Sequence, residues 1–205
     1  MAVRIYGNRE IKTLPGELTR PTSARVREAL FNIWQGRVRG CRWLDLCAGS
    51  GAMGAEALCR GAAEVVGIEK SGVACRVVKE NWQKVAKAEQ RFQVVKGDVV
   101  RQLVQMQEQE RNQPFDCIYF DPPYAGKLYD LVLKALPHYM DANSEAAVEY
   151  SPTQWSLERV PVGLKIVKEK RYGGTELVFL RRSESVEPES QEARPSVEQV
   201  GHRLS

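Results

Sequence analysis

The residues with the most specific chemistry are Asp121, Pro122, Pro123 and Tyr124, which follow a short apolar run ending at Phe120. The amino group of a nucleic-acid base is a weak nucleophile because its lone pair is delocalised into the ring. A carboxylate and a prolyl carbonyl can accept its two hydrogens, and prolines keep such a loop stiff. An aromatic side chain can stack on a flipped base. The tetrapeptide therefore predicts methylation of an exocyclic amino group, and a chance proline turn is the alternative.

A glycine-rich segment follows an earlier apolar run and contains Gly49, Gly51 and Gly54 in the spacing GxGxxG. Glycines allow a sharp turn and a close ligand, and the helix that follows offers unpaired N–H groups at its start. Glu69 lies about 20 residues further on, where a carboxylate would hold ribose hydroxyls. By itself this pattern fits a nicotinamide enzyme, a methyltransferase or a turn without a ligand.

Two further carboxylates favour a cationic ligand. Asp45 lies at the end of the strand before the glycines, where it could meet the ammonium group of a methionine moiety. Asp98 follows the third predicted strand, within reach of an adenine amino group. Together with Glu69, these acids are expected to face one crevice beyond the carboxyl edge of a sheet. A dinucleotide pyrophosphate gains nothing from three acids, whereas the sulfonium and ammonium of S-adenosylmethionine do, so we predict S-adenosylmethionine as the cofactor.

Strands and helices must position these residues, and the hydrophobic pattern predicts both in alternation. Each predicted strand is a short apolar run with little polar alternation, as in a parallel sheet covered on both faces. The strands are predicted at residues 43–47, 64–69, 92–96, 115–120 and 146–150, and the helices near 52–60, 72–87, 99–109 and 127–139. This order predicts a doubly wound α/β fold. Two antiparallel hairpins are expected, over residues 3–13 and 164–181.

The composition is that of a globular chain, because 43% of the 205 residues are hydrophobic and 27% are charged. No apolar run reaches the roughly 18 to 20 residues that cross a bilayer, and the start of the chain lacks the apolar stretch of a signal peptide. The five cysteines are scattered without a CxxC pair, so neither a zinc site nor disulfides are predicted. We therefore expect a cytoplasmic protein with no membrane partner and no metal.

Basic side chains are concentrated at the start of the chain. Residues 1–42 contain nine basic and three acidic side chains, whereas residues 182–205 contain three arginines and five glutamates. A basic section of this kind favours a polyanionic partner, and a solvated surface is the equal alternative. The last stretch is polar and cannot bury enough apolar surface to order itself. We divide the chain into a hairpin extension at 1–20, a catalytic domain at 21–182 and a disordered tail at 183–205.

With these motifs in place, the sequence resembles the bacterial 16S ribosomal RNA guanine-N2 methyltransferase family, the RsmD-like proteins. The resemblance covers residues 1–182 and rests on three segments. These are RPT with RVREALFN at residues 20–32, LDLCAGSG at 44–51, and FDPPY at 120–124. The glycine and DPPY segments are shared with many amino-methyltransferases, including adenine enzymes. The first segment is far more restrictive, and it selects the family.

The resemblance implies a class I methyltransferase fold with a seven-stranded, mostly parallel sheet, a closing antiparallel hairpin and a small N-terminal hairpin packed beside it. It implies methyl transfer from S-adenosylmethionine to N2 of one guanine in 16S rRNA, on an assembled or nearly assembled small ribosomal subunit. By the family pattern, the catalytic loop is Asp121, Pro122 and Tyr124, and the cofactor contacts are Gly49, Gly51, Glu69 and Asp98.

Three residues of the first segment, Arg20, Thr22 and Arg25, have alternative roles. They line the active site, bind phosphate or organise the start of a helix, and we take them as candidate substrate contacts. Two rival functions stay open: an adenine-N6 methyltransferase with the same DPPY loop, and a nicotinamide-dependent oxidoreductase. The first usually needs an additional target-recognition segment, for which 205 residues leave little room. The second lacks an evident Tyr-x-x-x-Lys or His–Asp pairing. We expect a monomer.

Overall fold

The computed structural model describes residues 2–14, 24–108, 113–122 and 126–183. Within these ranges the main elements alternate between strand and helix, as the hydrophobic pattern predicted. They are β1 Ala2–Ile5, β2 Arg9–Lys12, α1 Ala24–Ile33, β3 Arg42–Leu46, α2 Ala52–Cys59, β4 Glu64–Glu69, α3 Gly72–Val85, β5 Arg91–Lys96, α4 Val99–Glu108, β6 Cys117–Phe120, α5 Gly126–Ala135, β7 Glu145–Tyr150, β8 Leu164–Tyr172 and β9 Thr175–Arg182.

Seven strands form one sheet in the order β5-β4-β3-β6-β7-β9-β8. The strands from β5 to β7 in this order run parallel, whereas β9 pairs antiparallel with both β7 and β8. Helices α1, α2 and α3 pack on one face of the sheet, and α4 and α5 pack on the other. Strands covered on both faces need apolar residues throughout, which explains their near-continuous hydrophobic runs. The predicted doubly wound fold with a closing hairpin is confirmed.

Several predicted elements have different ends in the structure, and for two of them the physical reason is clear. The helix predicted over 127–139 ends at Ala135 and is followed by a 3-10 turn over Leu136–Tyr139. Pro137 explains the change, since it has no N–H for the α-helical bond. The strand predicted from residue 115 begins at Cys117, and Phe115 is buried just ahead of it. A hydrophobic run in the sequence indicates that residues are buried, not that they pair in a sheet. It therefore does not show where β6 begins.

The first two strands form a separate antiparallel hairpin, as predicted. Its turn includes Gly7 and Asn8, which have positive φ angles of 71° and 58°. Glycine and asparagine tolerate the left-handed region better than other residues do. The Gly-Asn pair therefore lets the chain reverse without steric strain from a bulky side chain.

The hairpin is packed against the catalytic domain by apolar and polar contacts. Ile5 and Ile11 are buried in the same core as the helices on that face of the sheet. Asn81 of α3 pairs with the backbone of Lys12: its Oδ1 accepts from the N–H and its Nδ2 donates to the carbonyl, each at 2.9 Å. The side-chain amide thus extends the hairpin's hydrogen bonding into the domain.

The predicted division of the chain reaches beyond the described residues. The boundary at residue 20 lies outside them, as does the tail predicted over 183–205 apart from Ser183. The three-part division therefore stays a prediction. In the ranges that the structure describes, every helix is too short or too polar to cross a bilayer.

A buried ion pair joins the first two helices. Arg27 Nε of α1 lies 2.7 Å from Glu56 Oε2 of α2, and the side chains are only 4% and 5% exposed. Arg27 also donates from Nη2 to the carbonyl of Arg4 in β1, and Arg60 lies 2.9 Å from the other oxygen of Glu56. One arginine therefore links the hairpin, α1 and α2.

We predict that Arg27→Met lowers the free energy of unfolding by about 3 kcal/mol, because Glu56 stays buried and loses its closest cation. Urea denaturation of the purified variant measures the loss. Arg4→Ala is the control, since its exposed ion pair with Glu10 contributes under about 1 kcal/mol. A loss for Arg27→Met as small as that for Arg4→Ala would show that the buried pair does not stabilise the fold.

Candidate active site

The carboxyl ends of β3 and β6 meet at the middle of the sheet, where the direction of winding reverses. In doubly wound sheets ligands bind in the crevice outside such a switch point. Glu69 is the last residue of β4, Asp98 follows β5, and Asp121 follows β6. The cofactor acids predicted from the sequence therefore share this edge with the start of the DPPY loop.

Cys47, just after β3, shows how close these acids are to one another. Burial raises the pKa of the Cys47 thiol well above its ordinary value, and repulsion from Glu69, Asp121, Asp45 and Asp98 raises it further. Charge repulsion weakens with distance, so a carboxylate has this effect only when it is near the thiol. Four acids therefore lie in the neighbourhood of Cys47 along the carboxyl edge of the sheet, from β5 to β6.

Glu69 anchors the glycine loop directly. Its Oε2 accepts the N–H of Gly49 at 2.8 Å, and its Oε1 accepts the N–H of Ser71 at 2.7 Å. Each carboxylate oxygen keeps further acceptor capacity for a ribose hydroxyl. Gly49 has a φ of 57°, a conformation that favours glycine. The structure thus brings two of the predicted cofactor contacts, Gly49 and Glu69, into direct contact.

The other two glycines of the motif make room for Trp82, a residue that sequence reasoning missed. A Cβ on Gly51 would lie 2.8 Å from Trp82 Nε1, and a Cβ on Gly54 would lie 2.3 Å from its Cζ2. The indole Nε1 donates to the carbonyl of Gly51 at 2.7 Å. We expected these glycines to admit a ligand, whereas the close neighbour at both positions is Trp82. Contact between Gly51 and the cofactor stays a prediction.

Asn81 is a second residue that sequence reasoning missed. Besides its bonds to the hairpin, its Nδ2 donates to the carbonyl of Ser50 at 2.9 Å. One buried side chain therefore joins the N-terminal hairpin to the glycine loop. Asparagine is a poor helix former, because its side chain competes with the backbone for hydrogen bonds. Its place in the middle of a predicted helix is the signal that could have revealed this role.

Asp45 lies beneath the glycine loop, where it is 1% exposed and accepts the N–H of Gly54 at 3.0 Å. Burial raises the pKa of Asp45 to about 8, with the Gly54 hydrogen bond acting against burial and repulsion from Glu69 acting with it. The carboxyl therefore keeps its proton near neutral pH and braces the first turn of α2. The predicted contact of Asp45 with an ammonium group stays a prediction.

Asp98 begins α4 as a helix cap. Its Oδ1 accepts the N–H groups of Val100 at 3.1 Å and Arg101 at 3.3 Å. Its side chain is exposed, and Oδ2 accepts no hydrogen bond from the described residues. Capping uses only one oxygen, so the other is left for the predicted contact with an adenine amino group.

The remaining predicted residues are only partly within the described ranges. Asp121 is half-buried and Pro122 is buried at the start of the DPPY loop. Arg25 is the second residue of α1 and is exposed. The other predicted residues, Tyr124, Arg20 and Thr22, lie outside the ranges that the structure describes. The substrate roles of Arg20, Thr22 and Arg25 therefore stay predictions.

The chemistry of this edge fits S-adenosylmethionine. Glu69 has acceptors for the ribose hydroxyls, Asp98 has a free oxygen for the adenine amino group, and the acids around Cys47 suit a sulfonium beside an ammonium. The same acids would repel a pyrophosphate. Among the described residues no cluster of three or more histidines, cysteines or acids has the geometry to hold a metal ion. The fold and the site define a class I S-adenosylmethionine-dependent methyltransferase.

Comparison with known proteins identifies the family. The family model described as conserved hypothetical protein 95 matches residues 3–181, so the chain belongs to this family, the RsmD-like proteins. The chain is 34% identical over 131 residues to the rRNA methyltransferase YlbH of Bacillus subtilis, over 64% of this chain and 70% of YlbH. It is 29% identical over 163 residues to ribosomal RNA small subunit methyltransferase D of Haemophilus influenzae, over 75% of this chain and 82% of that protein.

A solved structure supports the same assignment. The methyltransferase yhhF of Escherichia coli matches with a TM-score of 0.76 at 26% identity, over 89% of this chain and 98% of that one. The match extends over most of both chains, so it includes more than the nucleotide-binding core. Family membership sets aside the nicotinamide-dependent oxidoreductase that the glycine loop alone had left open.

We predict that Asp45→Asn stabilises the protein increasingly as the pH rises. In the unfolded chain the carboxyl loses its proton at about pH 4, whereas burial keeps the pKa in the folded protein at about 8. Between these values the unfolded state gains stability by ionising, at about 1.4 kcal/mol for each pH unit. Asparagine removes this effect, and its carbonyl can still accept the N–H of Gly54.

Urea denaturation at about pH 5 and about pH 8 measures this effect. We expect the free energy of unfolding of Asp45→Asn, relative to that of the wild-type protein, to increase by about 2–4 kcal/mol between these pH values. Asp116→Asn is the control, since Asp116 is exposed and also accepts a backbone N–H, that of Arg42. An advantage for Asp45→Asn that is equal at both pH values would contradict the burial of an ionisable carboxyl.

Proposed function

We propose that this protein transfers a methyl group from S-adenosylmethionine to the exocyclic N2 of one guanine in 16S rRNA of the small ribosomal subunit. The position of Asp121 beside the cofactor acids carries the proposal. Glu69 ends β4, Asp98 follows β5 and Asp121 follows β6, so all three acids lie at one edge of the sheet. In the proposed arrangement, an amino group bonded to Asp121 faces the methyl group of a cofactor bound by the other two acids. Such placement removes much of the entropic barrier to transfer.

S-adenosylmethionine, when bound, supplies a methyl group on a positively charged sulfur. Asp121 and the carbonyl of Pro122 accept the two hydrogens of the target amino group, which draws its nitrogen toward tetrahedral geometry. The nitrogen–carbon bond forms as the carbon–sulfur bond breaks, and one amino proton leaves to Asp121 or to water. By the family pattern, Tyr124 stacks on the flipped base. The chain contributes position and preorganised acceptors in this mechanism.

Relatives supply the choice of substrate. The names of both relatives refer to rRNA methyltransferases, and the name of one specifies the small subunit. The DPPY loop serves adenine and guanine alike, so guanine N2 rests on the RsmD-like family rather than on the loop. We propose that a monomer acts in the cytoplasm on an assembled or nearly assembled subunit.

The direct test is methyl transfer from labelled S-adenosylmethionine to small ribosomal subunits from a strain that lacks the activity. Naked 16S rRNA and duplex DNA serve as comparison substrates, and the products are digested to nucleosides. We expect label in N2-methylguanosine, strongest on the subunit. Label in N6-methyladenine would support methyl transfer to an amino group but contradict guanine as the target. No label on any substrate would contradict the whole proposal.

We predict that Asp121→Ala lowers turnover at least ~100-fold, because the amino group loses one preorganised acceptor. The affinity for S-adenosylmethionine should stay nearly unchanged, since the cofactor is held by other acids. Asp116→Ala is the matched control, since Asp116 lies at the opposite end of the same strand. Single-turnover assays and a binding titration separate the two effects. Near-normal turnover by Asp121→Ala would remove this residue from the mechanism.

We predict that changing Arg4, Arg9 and Lys12 to glutamate weakens RNA binding in a strongly salt-dependent way. The side chains of Arg4 and Lys12 are 72% and 70% exposed, and each forms a surface ion pair with a glutamate. Exposed pairs are weak, so these cations can turn to phosphates instead. The loss of three phosphate contacts should reduce the slope of log affinity against log salt by about 2.

The matched control reverses Lys165, Lys168 and Lys170, which are exposed on β8 at the far edge of the sheet. Both triple variants change the net charge equally, so a general effect of charge would weaken binding equally in both. Filter binding to small subunits at several salt concentrations measures the affinity and the slope. An unchanged slope in the hairpin variant would show that the hairpin does not face the RNA.

A further inference from the structure

Glu149 is a further carboxylate at the catalytic edge, and the proposed mechanism does not use it. β6 and β7 run parallel with Phe120 opposite Val148, so Asp121 and Glu149 occupy the next facing positions. The side chain of Glu149 contacts that of Tyr119, which places it on the sheet face covered by α1, α2 and α3. Two acids therefore lie on neighbouring strands at the point where each strand reaches the crevice.

Two tyrosines hold Glu149 in place. The hydroxyl of Tyr119 donates to Glu149 Oε2 at 2.6 Å, and the hydroxyl of Tyr129 in α5 donates to the Glu149 carbonyl at 3.1 Å. Both tyrosines are 2% exposed, and Tyr129 stacks on Trp155 with 5.2 Å between ring centroids. Glu149 itself is only half-buried. A positioned carboxylate thus remains within reach of a ligand.

The described residues provide no cation to neutralise this carboxylate. No basic side chain among them forms an ion pair with Glu149, and none of them donates a hydrogen bond to its Oε1. Burial raises the pKa of Glu149, and the hydrogen bond from Tyr119 acts in the opposite direction. Burial of an acid costs free energy unless its charge is paired or hydrogen-bonded, and within the described ranges the Tyr119 hydroxyl is the side-chain donor that offsets this cost. The open oxygen of Glu149 suits a donor that arrives with the substrate.

We propose that Glu149 selects guanine by accepting its N1–H while Asp121 binds the adjacent 2-amino group. This inference rests on the proposed function and extends it to the choice of base. Guanine presents N1–H and the 2-amino group as neighbouring donors, whereas adenine presents an unprotonated N1 beside its amino group. Two carboxylates on neighbouring strands can accept both donors of guanine, whereas one of them would face and repel the unprotonated N1 of adenine. A flipped base is recognised by such hydrogen bonds to its Watson–Crick edge, and the repulsion excludes the competing base.

The base 2-aminopurine tests this role, because it keeps the 2-amino group and has an unprotonated N1. The substrates are small subunits reconstituted with 16S rRNA that carries either guanine or 2-aminopurine at the methylated position. The ratio of kcat/KM values with labelled S-adenosylmethionine gives the preference for guanine. We expect the wild-type protein to prefer guanine at least about tenfold, because Glu149 would face an acceptor in 2-aminopurine.

The informative variant is Glu149→Gln, which keeps the size of the side chain. Its carbonyl can accept from Tyr119 as the carboxylate does, and its amide N–H can then donate to an unprotonated N1. We expect the preference for guanine to fall at least about tenfold in this variant. Glu145→Gln is the matched control, since Glu145 lies at the opposite end of the same strand and its loss of charge should leave the preference unchanged. Glu149→Gln removes a half-buried charge that pairs with no basic side chain of the described ranges, so urea denaturation should show it at least as stable as the wild-type protein.

The outcomes distinguish the two proposals. A preference that is unchanged in Glu149→Gln, with wild-type product still found as N2-methylguanosine, would overturn the role of Glu149 and leave the proposed function standing. Equal loss of activity on both bases would also overturn it, because a merely structural residue would act in that way. No N2-methylguanosine from the wild-type protein on native subunits would overturn the proposed function and the role of Glu149 with it.

Discussion

Crowding of like charges at the carboxyl edge of the sheet is the constraint on which this molecule depends. Glu69, Asp98 and Asp121 lie in the neighbourhood of the Cys47 thiol, and their repulsion adds to burial in raising the pKa of that thiol. Burial, with added repulsion from Glu69, raises the pKa of Asp45 to about 8. A nearby sulfonium and ammonium would reverse this effect, because a positive charge favours the ionised form of each acid. We propose that binding of the cofactor relieves this repulsion.

The scaffold holds these acids in place through contacts between distant parts of the chain. Trp82 fills the space that Gly51 and Gly54 leave open, and its indole donates to the loop backbone. Its neighbour Asn81 bonds both to the glycine loop and to the N-terminal hairpin. Helix α3 therefore connects the glycine loop with the segment that we propose to face RNA.

The order of strands and helices could be predicted from the sequence, because buried parallel strands leave near-continuous apolar runs between amphipathic helices. Once the strands are ordered, the convergence of Glu69 and Asp121 follows, since parallel strands end at one edge. The contact between Gly51 and Trp82 could not be predicted in this way, because a single contact between residues far apart in the chain produces no periodic pattern in the sequence. The place of Glu149 depends likewise on the register between β6 and β7, which alternation within one strand does not reveal.

Calorimetric titration of S-adenosylmethionine into the wild-type protein and into Glu69→Gln tests most directly whether the clustered acids form the cofactor site. Glu64→Gln is the matched control, because Glu64 lies at the opposite end of the same strand and the charge change is equal. We expect one site, with near-equal affinity in the wild-type protein and Glu64→Gln. Glu69→Gln should bind at least about tenfold more weakly, because Glu69 orders Gly49 and would receive the ribose hydroxyls. Equal affinity in all three proteins would contradict this site.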